Sequence, residues 1–382
     1  MQGGANGGVG LSGTRIGVWY LPLIYFRLSE VNVSGRRAFF LFHPSLMALR
    51  LLVNTGLLAI PIGGAVGTLL GLDAHRSATG QPPLFTSDGH PGTGGSTGGH
   101  DSTGGGASHP GTTNNGVTTK TYCDLSFGVS PPTQGESFTF NPNQWGVTDS
   151  TNGGLCMNVT TFNNETYATK NTAPEFSVTW QFDAGPNTQP VHAYSNLLVE
   201  NVLPLTLEKI SEINLDLHWT YGVGNTPAES TDDATLKAND LATNVAVDMF
   251  FDTDQKKAQN SSLAGFEVMV WFADYGASAQ PFGLDKGAVT TKTIEGAEFS
   301  LYADTHTVAG GDQHVLTWVA TEATEKFHGD LYPLITDLYT LKGETYPAKD
   351  DYMGIFQFGT EAFSSKQNVT FWCPTFSLDI KS

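Results

Sequence analysis

Arginine is missing from the last 262 residues of this 382-residue chain, and cysteine occurs only three times in the whole. Residues 1–120 carry six Arg and one Lys against four acids, about +3, whereas residues 121–382 carry twelve Lys against thirty-three acids, about −21. An acidic region without Arg offers little to a phosphate backbone or an anionic lipid surface, so no nucleic-acid partner is expected. It suits a neutral or cationic partner. No Cys/His/acid constellation with metal-ligand spacing is present either. His75, His90, His100 and His109 recur in a tract without fixed geometry, so neither a metal nor another cofactor is expected. Helical periodicity is scarce after residue 120, which excludes an α-helical bundle or a helix-alternating α/β fold.

The cysteines are Cys123, Cys156 and Cys373. Asn-x-Ser/Thr sequons stand at Asn158, Asn164, Asn260 and Asn368, and at Asn32 upstream. They accompany a signal-like stretch. Met47-Ala48-Leu49-Arg50 is a basic start, Leu51 to Ile62 an apolar run, and Gly63-Gly64-Ala65 or Ala65-Val66-Gly67 a small-x-small cleavage site. Residues 47–72 therefore read as a signal peptide. The alternative is a retained membrane anchor, since residues 46–72 are long enough to span a bilayer. The secretory route predicts a Cys123–Cys156 disulfide, contributing about 3–4 kcal/mol in the loop-entropy model, and leaves Cys373 as a buried free thiol. Residues 1–46 resemble no domain and receive no function. Residues 73–120, rich in Gly, Ser, Thr and Pro, read as a disordered linker that buries too little apolar surface to fold. The expected product is a secreted, extracellular monomer; a membrane enters only if residues 47–72 are retained.

From residue 121 the pattern changes to short alternating segments broken by Gly, Asn, Asp and Pro. Phe176–Phe182, Glu212–Tyr221, Ala242–Phe251, Phe266–Phe272, His314–Glu322 and Tyr352–Phe358 are examples. About a dozen such strands without intervening helices predict an all-β antiparallel sandwich. One helix is expected near Asp330–Leu341, where Leu331, Leu334, Ile335, Leu338 and Leu341 share a face.

Two strands carry a carboxylate opposite a hydrophobic face. In Phe266-Glu267-Val268-Met269-Val270-Trp271, strand alternation puts Glu267, Met269 and Trp271 on one side and Phe266, Val268 and Val270 on the other. In Phe356-Gln357-Phe358-Gly359-Thr360-Glu361, Glu361 lies opposite the two Phe. Asp248 shares a face with Asn244, Ala246 and Phe250. Two facing carboxylates can divide acid and nucleophile roles at a glycosidic bond. A carbohydrate-binding sandwich without catalysis would not need the paired acids.

Residues 121–382 resemble glycoside hydrolase family 12, and the resembling segments occur in family order. They are Asn143-Gln144-Trp145-Gly146, Trp180-Gln181-Phe182, Ala193-Tyr194-Ser195-Asn196, Asn244 to Phe250, Phe266 to Trp271, Pro281-Phe282-Gly283 and Gln357 to Glu361. The resemblance implies a β-jelly roll with one short helix and an endo-acting β-1,4-glucanase that retains anomeric configuration. It makes Glu267 the nucleophile, Glu361 the general acid/base and Asp248 the acid beside the nucleophile. It puts Asn143, Trp145, Trp180, Met269 and Trp271 in contact with a β-glucan chain. Phe182, Val247 and Ala362 stand where the family usually has Trp, Tyr and Pro. Those departures leave open whether the preferred glucan is unbranched or a xyloglucan.

Overall fold

The computed structural model describes residues 113–382 except 115–116, 126–127, 163–166, 187, 309 and 342. The signal-or-anchor segment, the N-terminal 46 residues, the four linker histidines, and Asn32 and Asn164 lie outside the described residues. Among those described, no helix is long and apolar enough to cross a membrane.

Two sheets face each other. The seven-stranded sheet runs in the order β1 (Thr113–Asn114), β2 (Val117–Tyr122), β4 (Gly153–Phe162), β5 (Glu175–Phe182), β16 (Val369–Lys381), β8 (Glu212–Val223) and β14 (Lys326–Asp330). The second runs β11 (Thr290–Ile294), β12 (Ala297–Val308), β13 (Gly311–Ala320), β10 (Phe266–Tyr275), β9 (Ala242–Asp252), β15 (Tyr352–Ser364), β6 (Ala193–Val199) and β3 (Phe138–Asn141). The short β7 (Leu205–Thr206) pairs with β15 as its ninth strand.

The core lies between the sheets and is built by strand alternation. Val245, Val247, Met249 and Phe251 of β9 enter it with Val268, Val270 and Phe272 of β10 and Phe356 and Phe358 of β15. The seven-stranded sheet answers with Phe176, Val178, Trp180, Trp219, Tyr221, Phe371 and Phe376. Phe358 stacks on Phe376 at 5.4 Å between ring centroids, which ties the two sheets together at mid-sandwich.

Four expectations change. The sheet is not wholly antiparallel: β10 and β13 run parallel, with Glu267 beside Val315 and Met269 beside Thr317. The chain reaches that pairing by crossing over through β11 and β12. Instead of one helix there are, among the described residues, three short α-helices: α1 (Asp233–Ala238), α2 (Gln255–Ala258) and α3 (Tyr332–Leu338). Asp232 and Asp254 start the first two by accepting backbone N–H groups, a capping signal present in the sequence but too short in span to show periodicity. The expected helix is α3, shorter than Asp330–Leu341, with Pro333 in its first turn and burying Leu334, Ile335 and Leu338. Finally, β2 begins inside the segment read as linker and pairs with β4. Its Val-Thr-Thr-Lys-Thr-Tyr is Thr-rich, and threonine is both a linker residue and a good strand former.

The Cys123–Cys156 disulfide is present and joins the chain just after β2 to β4. Cys373 is free and buried.

Candidate active site

The site lies on the face of the nine-stranded sheet turned away from the core. On that face β10, β9 and β15 lie side by side and carry Glu267, Asp248 and Glu361. Asp248 is opposite Met269 on one side and Gln357 on the other; Glu361 is opposite Asn244 and Tyr194. All three acids are buried, with exposures of 4%, 2% and 8% for Glu267, Asp248 and Glu361. None has a Lys or Arg partner within ion-pair range among the described residues. Burial therefore works unopposed, and carboxylates near one another add repulsion.

The result is a set of carboxyls that hold protons tightly. Burial first, and the nearby Glu361 second, push the Glu267 carboxyl far above its ordinary value. Asp248 is raised well above the carboxylate range by burial, then by Glu267 and Glu361. Glu361 is pushed up to about 7 by burial, with the Asn244 amide pulling the other way. The mutual repulsion belongs to the group as a whole and falls on whichever member ionises last.

Asn244 fixes Glu361 twice: its Nδ2 donates to Oε2, and its Oδ1 accepts from the Glu361 backbone N–H at 3.1 Å. An N–H donor at this oxygen stabilises the carboxylate left behind after a proton is given away. Tyr194 stands among the acids, its hydroxyl donating to the Ala246 carbonyl at 3.2 Å. Two residues before Glu361, a Cβ added at Gly359 would meet the Ser195 carbonyl at 1.9 Å, so only glycine lets β15 and β6 approach this closely.

From the core side, Thr243 Oγ1 donates to the Glu361 carbonyl (2.6 Å) and Thr360 Oγ1 to the Asn244 carbonyl (2.6 Å). Trp180 belongs to this buried polar group, its indole N–H donating to Tyr221 Oη at 2.6 Å. That corrects its expected place. Trp180 is 1% exposed, between the sheets, behind Glu361 rather than on the sugar-facing side. Alternation puts Phe176, Val178, Trp180 and Phe182 on one face of β5, and the packing of the nine-stranded sheet against that face makes it the inward one.

Trp271 and Met269 do lie on the acid-bearing face. They are covered, however, by a small cluster of Ala246, Val319 and Tyr302, and the Trp271 indole donates to Met269 Sδ at 3.4 Å. They form the floor rather than a platform. Trp145 is partly exposed beside Phe363, Val191, Ala242 and Ala279, at the Glu361 end, and its Nε1 is buried without a partner. Asn143 takes a left-handed backbone (φ 45°) and its carbonyl accepts from Tyr194 N–H at 3.1 Å. Of the sequons, Asn368 is exposed and hydrogen-bonded to Asn225 (2.6 Å). Asn158 Oδ1 accepts from Thr121, and Asn260 Oδ1 from Ser262 N–H.

A family model described as Glycosyl hydrolase family 12 matches residues 136–381, which takes in both strands of the carboxylate pair. The chain belongs to glycosyl hydrolase family 12. It is a glycoside hydrolase. It is 29% identical to a probable xyloglucan-specific endo-beta-1,4-glucanase A of Aspergillus clavatus, over 62% of this chain and 83% of that protein. It is 26% identical to endoglucanase A of Aspergillus kawachii, over 62% and 82%. Among solved structures, Trichoderma harzianum endoglucanase 3 of the family superposes with TM-score 0.52 at 22% identity, covering 69% of this chain and 98% of that one. The Humicola grisea Cel12A catalytic domain does so at 0.52 and 20%, covering 68% and 98%. These matches establish the family 12 jelly roll.

Sequence reasoning missed Asn244 and Tyr194 as members of the site. Both were legible as neighbours: Asn244 alternates with Asp248 on β9, and Tyr194 sits in a family segment. No such signal pointed to His306, 3.9 Å from Glu267, or to Gln313 beside it.

Proposed function

We propose that this family 12 enzyme is a secreted endo-β-1,4-glucanase acting on plant cell-wall glucans with retention of configuration. The observation that carries this reading is the juxtaposition of two buried carboxyls on one sheet face, one of them anchored by Asn244 and raised to about 7. Protonated Glu361 gives its proton to the glycosidic oxygen as that bond breaks. The two carboxyls titrate as a pair, and in the form with one proton between them the ionised Glu267 bonds to the anomeric carbon as the leaving oxygen departs, forming a glycosyl-enzyme. Glu361, now a carboxylate held by Asn244, takes a proton from water as the water oxygen displaces Glu267, and both groups return to their starting states. Asp248, whose surroundings favour its protonated form, keeps a second negative charge away from Glu267. Trp145 offers the exposed aromatic surface for a sugar ring.

The disulfide and the signal-like segment at 47–72 support secretion. A xyloglucan preference is the second reading, favoured by the name of the A. clavatus relative. Barley β-glucan, carboxymethyl-cellulose, xyloglucan and xylan assayed side by side separate the two. Viscosity should fall faster than reducing ends appear, and NMR of early product should show the β-anomer. An α-anomer first, or activity on xylan alone, rejects the reading. Activity should also fall above neutral pH as the carboxyl pair loses its second proton and no acid remains for the leaving oxygen.

A further inference from the structure

Among the described residues, His306 is the one basic side chain that approaches Glu267 within ion-pair range, with Nε2 3.9 Å from Oε2. It comes from β12, two strands away across β13. The imidazole is 4% exposed, and its Nε2 lies 2.9 Å from Gln313 Oε1. Gln313 is itself locked, because its Nε2 donates to the carbonyls of Ser261 (2.8 Å) and Ala264 (2.9 Å) in the turn before β10. Two carbonyl acceptors fix the amide: the NH2 must face them, and the oxygen must face His306.

The tautomer follows. An oxygen acceptor at Nε2 requires Nε2–H, while Nδ1 is buried with no partner, where an N–H would lack any acceptor. Burial also pushes the His306 pKa down, against smaller opposite pulls from Gln313 and Asp304. The titratable groups facing the ring are Glu267 from β10 and Asp304 from its own strand. Phe282 packs edge-on at 5.2 Å.

We propose that His306 is a positioning residue for Glu267, its neutral imidazole held by Gln313 and the Ser261–Ala264 turn so that the positive Nε2 edge of the ring lies beside the carboxylate. The inference rests on Glu267 being the nucleophile. At 3.9 Å the contact is longer than a hydrogen bond and the Nε2–H is donated to Gln313, so His306 acts on Glu267 through the positive end of its N–H dipole rather than by a bond. A positive dipole end beside the carboxylate favours its ionised form, the form that attacks. The turn ties the mount to the sheet again through Gly310 N–H, which donates to the Ser262 carbonyl at 3.1 Å.

The test compares His306→Phe, His306→Gln and Glu267→Gln in the full chain, with kcat, KM, Tm and the pH profile of kcat/KM on barley β-glucan. Glutamine can place an N–H where Nε2 sits; phenylalanine cannot. His306→Phe should lower kcat about tenfold with KM within about twofold. It should also move the acidic limb to higher pH, because losing the N–H dipole raises the Glu267 pKa. His306→Gln should recover most of kcat and return the limb. An unchanged kcat and limb in His306→Phe overturns the proposal. So does equal impairment of both variants with equal loss of Tm, since that is packing alone. If Glu267→Gln is inactive while His306→Phe is normal, this inference alone fails; an active Glu267→Gln removes the nucleophile assignment with it. Should His306→Phe not fold, Gln313→Met carries the test, with a smaller fall in kcat and the same limb shift expected, and no change in either overturning it.

Discussion

On β9, Val245, Val247, Met249 and Phe251 point between the sheets, and Asn244, Ala246, Asp248 and Phe250 point the other way. Every residue of this strand is buried. The same holds across the neighbouring strands: one face of the sheet closes on apolar side chains, the other on carboxyls with few partners. Burial is thus shared by both faces, while its energetic sign is opposite. Removing Val, Met and Phe from water contributes to stability at about 25 cal/mol per Å². Removing Glu267, Asp248 and Glu361 from water costs stability and leaves them as proton-holding groups. The core face supplies the rigidity that keeps the second face in its unfavourable state. Thr243 and Thr360 are where the two meet, since they stand on the core side and hold the backbone of Glu361 and Asn244.

That opposition breaks most visibly in catalysis. Glu267→Gln should lower the rate on glucan by on the order of 10⁴-fold or more. Glu361→Gln should lower it by about 10²–10⁴-fold, and by much less on aryl glycosides, whose leaving groups need little protonation. Steady-state rates on both substrate types check this, and a variant with near-normal glucan activity would remove its residue from the mechanism.

Stability should then move in opposite directions on the two faces. Phe358→Ala, at a fully buried core position, should destabilise by about 3–5 kcal/mol. Glu267→Gln should stabilise, and only at higher pH. The folded pKa of Glu267, pushed up to about 8, lies above the ordinary 4.5, so the native state binds this proton more tightly. Its contribution is full below pH about 4.5 and is lost as pH rises towards about 8. The gain from the amide should therefore be near zero at pH 4 and on the order of 2–4 kcal/mol at pH 8. Denaturant melts at the two pH values measure it. A gain that is equal at both would mean that Glu267 is not held protonated by burial.

The smallest effect separates two tryptophans that look alike in sequence. Trp145→Ala should raise KM by about three- to tenfold with Tm little changed, the loss of one stacking surface. Trp180→Phe should leave KM alone and lower stability by about 1–2 kcal/mol, through the lost bond to Tyr221. If Trp180→Phe instead raised KM, the core placement would not describe the working enzyme.

Much of this was legible in the chain itself. Alternation in Phe266–Trp271 and Gln357–Glu361 set which side chains share a face, because a strand has only two faces. The order of family segments identified the family. The spacing of Leu331, Leu334, Ile335 and Leu338 marked α3, whereas α1 and α2 are too short for any period to build up. Face assignment, however, is not face identity. Alternation says that Trp180 and Val178 point the same way, but only the second sheet packing on them shows that this way is inward. Likewise Trp271 lies on the predicted face, yet Tyr302 and Val319 cover it from strands distant in sequence.

The sequence by itself determined the all-β class, the family, the carboxylate pair and the Cys123–Cys156 partners, since these depend on local period, residue type and order along the chain. The parallel pairing of β10 with β13, the place of β12 beside them, and the meeting of His306, Gln313 and Glu267 were decided only by the tertiary structure. Strand order is chosen by the whole set of sheet contacts at once, and nothing within thirty residues of Glu267 in the sequence records that His306 will be its neighbour.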